Sequence, residues 1–172
     1  MIADTDKRVR IRQALLLLGG ALALELLVAQ GSLPFYWTPL ILGIAYLAAA
    51  GAGGRRGSYW ATACVLVGWG LAVVYLGAVK PVDVDPAGAY LVGAGLGAVA
   101  GTLLARRRFD VSPLGLGATV AAAGFILAIS PRAPELLYDA RTFAWAVGVV
   151  GLVNLALAIK PDRRVRSTAA VG

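Results

Sequence analysis

The sequence predicts an all-α integral membrane protein, a bundle of six transmembrane helices, and three observations carry that expectation. Of 172 residues, 59% are hydrophobic and 15% charged, with a mean hydropathy of +0.78, more apolar than a water-exposed fold of this size sustains. Six apolar runs, each close to the about 20 residues that cross a roughly 30 Å hydrocarbon layer, take up almost the whole chain and leave no room for a soluble domain. Basic residues then recur at every second boundary between runs, the pattern left by the cost of translocating cationic loops.

The first run, 11–30, follows Lys7, Arg8, Arg10 and Arg12. It has the charged start of a signal peptide, but its length and the lack of a small-x-small pattern near Ala29 mark it as a retained helix. The second run, 36–53, is headed by Phe35, Tyr36 and Trp37 and carries Pro39 in its first turn, where proline costs no helical hydrogen bond. The third, 59–79, follows Arg55 and Arg56, opens with Tyr59 and Trp60, and stops at Lys80-Pro81. The fourth, 87–105, ends in Arg106, Arg107 and Arg108; the fifth, 113–130, opens on Pro113; the sixth, 142–159, ends at Lys160-Pro161.

Orientation follows from charge. The N-terminus, the second and fourth loops and the tail with Arg163, Arg164 and Arg166 are basic. Residues 30–36 carry no charge, Lys80 is offset by Asp83 and Asp85, and Arg132 and Arg141 are offset by Glu135 and Asp139. Both ends, 1–10 and 160–172, therefore belong on the cytoplasmic side of the cytoplasmic membrane, with the chain forming one transmembrane domain. Aromatic residues fit this layout, with Phe35 to Trp37 at the outer headgroup zone and Tyr59 and Trp60 at the inner one. Residues 134–138 read equally as a short interfacial helix or an irregular connection. The preference for Arg over Lys, with abundant Ala, Gly and Val, suggests a GC-rich bacterial genome.

An internal echo accompanies the pattern. Thr38-Pro39-Leu40 with Gly43, Ala48 and Ala49 lines up against Ser112-Pro113-Leu114 with Gly117, Ala122 and Ala123, and Lys80-Pro81 against Lys160-Pro161. Read as homology, this makes two three-helix repeats of inverted orientation, an arrangement common in transporters; read as composition, it is a chance match in a chain rich in Ala, Leu and Gly.

Small residues mark packing faces. Ala89, Gly93, Gly97, Gly101 and Ala105 form a stripe along the fourth helix, letting another backbone approach closely where van der Waals contact drives association. The stripe reads as a contact within the bundle or as a homo-oligomer seam. The third helix carries Ala61, Cys64, Gly68, Ala72 and Tyr75 at similar spacing, and the sixth Ala144, Val147, Gly151, Asn154 and Ala158, so Cys64 reads as a small core residue.

Polar groups inside the spans are the candidate site. An acidic side chain there costs about 2–4 kcal/mol unless paired, protonated or hydrated, which singles out Glu25, on one helical face with Ala14, Leu18 and Ala21. Tyr75 and Tyr90 fall at similar depth, and Arg141 is the nearest cation expected. Glu25 then either lines an outward-facing cavity that binds a cation, proton or substrate, or locks the bundle through Arg141 or tyrosine hydroxyls. Asn154 lies nearer the midplane and needs a partner across helices, with Thr102 and Thr119 at matching depth. Asp83 and Asp85 read as solvated loop residues, since two carboxylates alone make a weak cation site.

Other chemistry is disfavoured. With no His and a single Cys, neither a disulfide nor a His/Cys metal site forms within one chain, and paired-His haem ligation is excluded, so no cofactor or metal is expected. One intramembrane carboxylate without an acidic cluster offers little to an enzyme. Gly51 to Arg56 is glycine-rich but lacks the Lys-Ser/Thr ending of a phosphate loop. The net charge of +7 and pI of 10.1 come from span ends, giving a topology signal rather than a nucleic-acid surface. The expected partners are the lipid bilayer and a homo-oligomer or larger membrane complex. Two functions stay open: a small transporter or channel for a solute or ion, and a non-catalytic accessory or scaffold subunit.

Overall fold

The computed structural model describes residues 2–31, 33–129 and 139–159. The described residues are all-helical, with six helices: α1 (Ile2–Ala29), α2 (Thr38–Ala52), α3 (Trp60–Val79), α4 (Pro86–Arg106), α5 (Pro113–Ile129) and α6 (Ala140–Ile159). Short 3-10 turns at Phe35–Trp37 and Gly54–Arg56 precede α2 and α3. Lys7–Ala29, Phe35–Ala52, Trp60–Val79 and Pro86–Arg106 are long and apolar enough to cross a membrane; α5 and α6 contain shorter apolar stretches, Pro113–Gly124 and Ala140–Ala156. The expected segment 134–138 and the tail 160–172 lie outside the described residues.

Boundaries agree with the expected runs except at the first. α1 begins at Ile2, not residue 11, so its charged start is helical. Lys and Arg are good helix formers, and a 28-residue helix is about 42 Å long at 1.5 Å per residue, longer than the roughly 30 Å of a hydrocarbon layer. The other ends have local causes. Lys80 turns left-handed at φ 50° after α3, and Pro81 follows. Asp85 caps α4, its Oδ2 accepting from Gly88 N at 2.7 Å, with Pro86 at the first helical position. Ser112 Oγ likewise accepts from Gly115 N at 3.2 Å at the start of α5. Asp139 does the same for α6 through Arg141 N at 2.9 Å.

The helices form a series of neighbours, α6, α1, α2, α3 and α4, with α5 against α3 and touching α4. Two apolar cores result. Leu17, Ala21, Leu24, Leu42, Tyr46, Ala49, Ala144 and Val147 join α1, α2 and α6. Val65, Trp69, Val73 and Ala94 join α3 to α4. Under an inverted repeat, α6 on α1 and α3 on α4 would be equivalent contacts, and both occur; α2, however, packs broadly on α1 and α3, whereas its counterpart α5 only touches α4 and lies on α3, among the described residues.

The small-residue stripe on α4 faces α3 within the chain. A Cβ added at Gly93 would come within 2.6 Å of Gly68 O, and one at Gly97 within 2.8 Å of Val65 Cα. Gly101 faces Leu116, Cys64 and Val111. The backbones of α3 and α4 meet so closely that only glycine fits. Gly93, Gly97 and Gly101 are thus covered by the chain's own α3 and α5, whereas Ala105 at the end of the stripe is exposed.

Candidate functional site

Successive helices alternate in direction, which gathers Arg8, Arg10, Arg12, Arg55, Arg56 and Arg106 to Arg108 at one end. There Gly53 lies against Gln13, Asp110 N donates to Arg55 O at 2.7 Å, and Trp60 stacks edge-on with Phe109 at 4.9 Å. Arg55 lies over the Phe109 ring at 5.6 Å, and Trp60 Nε1 donates to Gly54 O at 2.9 Å. At the opposite end Phe35 meets Phe143 with centroids 6.0 Å apart, and the Gly77 backbone lies against the Tyr36 ring. Glu25 and Arg141 belong to this second end.

Their side chains form an ion pair, Arg141 Nε to Glu25 Oε1 at 3.5 Å, with the side chains 54% and 39% exposed. The pair joins α1 to α6 across an apolar groove of about 320 Å³ bordered by Leu18, Leu22, Trp145 and Leu152. Glu25 Oε2 is buried and accepts no hydrogen bond. A single guanidinium contact therefore serves a carboxylate whose other oxygen faces apolar neighbours.

Tyr75 and Tyr90 are not part of this arrangement. They sit on α3 and α4, on the far side of α2 from Glu25. Tyr75, half exposed, borders a groove shared with Leu71, Asp83, Asp85 and Val92, while Tyr90 packs on the core around Trp69 and Val73. Equal depth along the helices brought neither to the carboxylate, because neighbour order separates them laterally.

Asn154 differs from expectation in the same way. Thr119 donates to Gly115 O at 2.8 Å and lies 3.4 Å from Thr62 Oγ1, and Thr102 donates to Ala98 O at 2.9 Å. Asn154 instead donates through Nδ2 to Val150 O at 2.8 Å and borders a cavity with Tyr59. With α6 on α1, both threonines are out of its reach.

Tyr59 and Asn154 border a small polar cavity of about 120 Å³ at the arginine end, completed by Arg10, Gln13 and Ser58. Gln13 is 4% exposed, and its Nε2 has no acceptor. A buried amide left so costs about 1–3 kcal/mol. Sequence reasoning overlooked Gln13, since a glutamine beside Arg12 reads as part of a solvated helix start. A polar residue one turn into an apolar run was the available signal. Among the described residues no cluster of three metal-ligating side chains occurs.

The chain matches no protein-family profile, no curated protein and no solved structure.

Proposed function

We propose that this chain is a six-span protein of the bacterial cytoplasmic membrane, with both ends cytoplasmic, and that it serves as a non-catalytic accessory or scaffold subunit of a larger membrane assembly. The observation that carries this reading is how polar groups within the helices are used: Glu25 joins α1 to α6, and Thr62 meets Thr119 between α3 and α5. Polar groups committed to helix-helix contacts suit a body whose task is to hold shape in lipid. The outward surface supports insertion and lateral contact alike, with Leu22, Leu91, Leu96 and Trp145 each more than 60% exposed. Purification in a mild detergent should yield a second membrane protein at fixed stoichiometry, and Leu96→Asp on the open face of α4 should weaken that association. A monodisperse single chain with solute flux in proteoliposomes overturns the reading.

A second reading, a small transporter or channel, rests on Glu25 Oε2, buried beside a groove without a donor. It predicts proteoliposome flux that Glu25→Gln abolishes while the fold survives. Unchanged flux in that variant overturns it.

A further inference from the structure

We infer that the polar cavity between α1, α6 and the α2–α3 turn binds a small oxyanion, the phosphate group of an anionic lipid headgroup or of free phosphate. The inference concerns a different site from Glu25 and stands whether or not the chain is a scaffold.

Gln13 supplies the central observation. It is nine-tenths buried and borders the cavity, and its amide nitrogen has no acceptor among the described residues. The other bordering residues are Arg10, which is exposed, Ser58, Tyr59 and Asn154. No carboxylate borders the cavity among the described residues. A cation placed there would face Arg10 without a counter-charge. An oxyanion suits this lining: its oxygens accept from amide and hydroxyl groups of the bordering residues, and its charge pairs with Arg10 through charge-assisted hydrogen bonds. A volume of about 120 Å³ suits a group of a few heavy atoms.

The surroundings favour the same sign. Arg55 and Arg56 lie on the turn that leads to Ser58, and Arg8 and Arg12 flank Arg10 on α1. In the proposed topology this end meets the cytoplasmic leaflet, whose anionic lipids present phosphate at that depth. Asn154 is held by Val150 O, so part of one wall is fixed by a contact internal to the chain.

The test uses the full chain in a neutral detergent, with thermal unfolding and titration calorimetry against three probes. These are sodium phosphate at constant ionic strength, dihexanoyl phosphatidylglycerol and dihexanoyl phosphatidylcholine. An anionic phosphate probe should raise the unfolding midpoint, and Arg10→Ala or Gln13→Leu should weaken its binding about tenfold, the effect of about 1.4 kcal/mol of lost contact. Arg106→Ala, at the basic end of α4 but outside the cavity, should leave binding unchanged. Response to the lipid alone identifies a headgroup; response to sodium phosphate as well identifies the phosphate group itself as sufficient. The proposal is overturned if neither anionic probe shifts the midpoint, if phosphatidylcholine shifts it equally, or if Arg106→Ala weakens binding as much as Arg10→Ala. Should Gln13→Leu fail to fold, Ser58→Ala with Arg10→Ala carries the comparison.

Discussion

Glu25 and Gln13 lie on the same helix, twelve residues apart, and their surroundings treat them oppositely. Glu25 meets a guanidinium 3.5 Å away on a half-exposed edge, whereas Gln13 is enclosed and lacks an acceptor. Exposed pairs gain little, because two long side chains lose freedom and solvent screens them. A double-mutant cycle of Glu25→Gln and Arg141→Ala should therefore give a coupling under about 1 kcal/mol when unfolding is followed in water-accessible micelles. A coupling of several kcal/mol would mean the pair is shielded from water. Glu25 was legible because a carboxylate in an apolar run stands out. The burial of Gln13 was not, since it depends on Gly53 closing over it from the α2–α3 turn.

At the scale of elements, the α3–α4 seam makes the sharpest predictions. A Cβ at Gly97 would lie 2.8 Å from Val65 Cα and press on the Cys64 carbonyl, so Gly97→Val must push two backbones apart. It should destabilise by about 1–3 kcal/mol, the usual cost of overpacking. Gly95, on the same helix, has no atom within 4 Å of an added Cβ. Gly95→Ala should instead be neutral or stabilise by up to about 1 kcal/mol through helix propensity. Unfolding midpoints of the two variants in one detergent check the contrast, and equal loss in both would deny the seam. Asp85→Ala removes the α4 cap and should cost about 1 kcal/mol, read the same way. In the sequence Asp85-Pro86 before an apolar run fits a cap and a solvated loop equally; only the distance to Gly88 N distinguishes the two.

For the whole molecule, orientation is the decisive quantity. Cys64 is the single cysteine, so a Cys64→Ala background gives a clean canvas for labelling. Val82, 96% exposed between α3 and α4, lies at the opposite end of the bundle from Arg56. With Val82→Cys, a membrane-impermeant thiol reagent should react in intact cells. With Arg56→Cys it should react only after the membrane is opened. The reverse pattern would invert the topology and place the Arg10 cavity outside.

The sequence by itself determined the helices, their approximate ends and the gathering of arginines at alternate boundaries. Apolar run length, proline position and charge act locally or along the chain, without reference to neighbours. Tertiary structure alone decided which helix lies beside which. Every span is apolar on most faces and carries small residues, so nothing in one helix names its partner. The fit of Gly151 against Leu18 and Gly148 against Ala21 joins α6 to α1, and Gly68 against Gly93 joins α3 to α4. That choice of neighbours separated Glu25 from Tyr75 and Tyr90, took Asn154 away from the threonines, and enclosed Gln13 beside Arg10. The six-helix pattern follows from the cost of exposing apolar runs to water; the site follows from backbone approach, which only contact between helices can set.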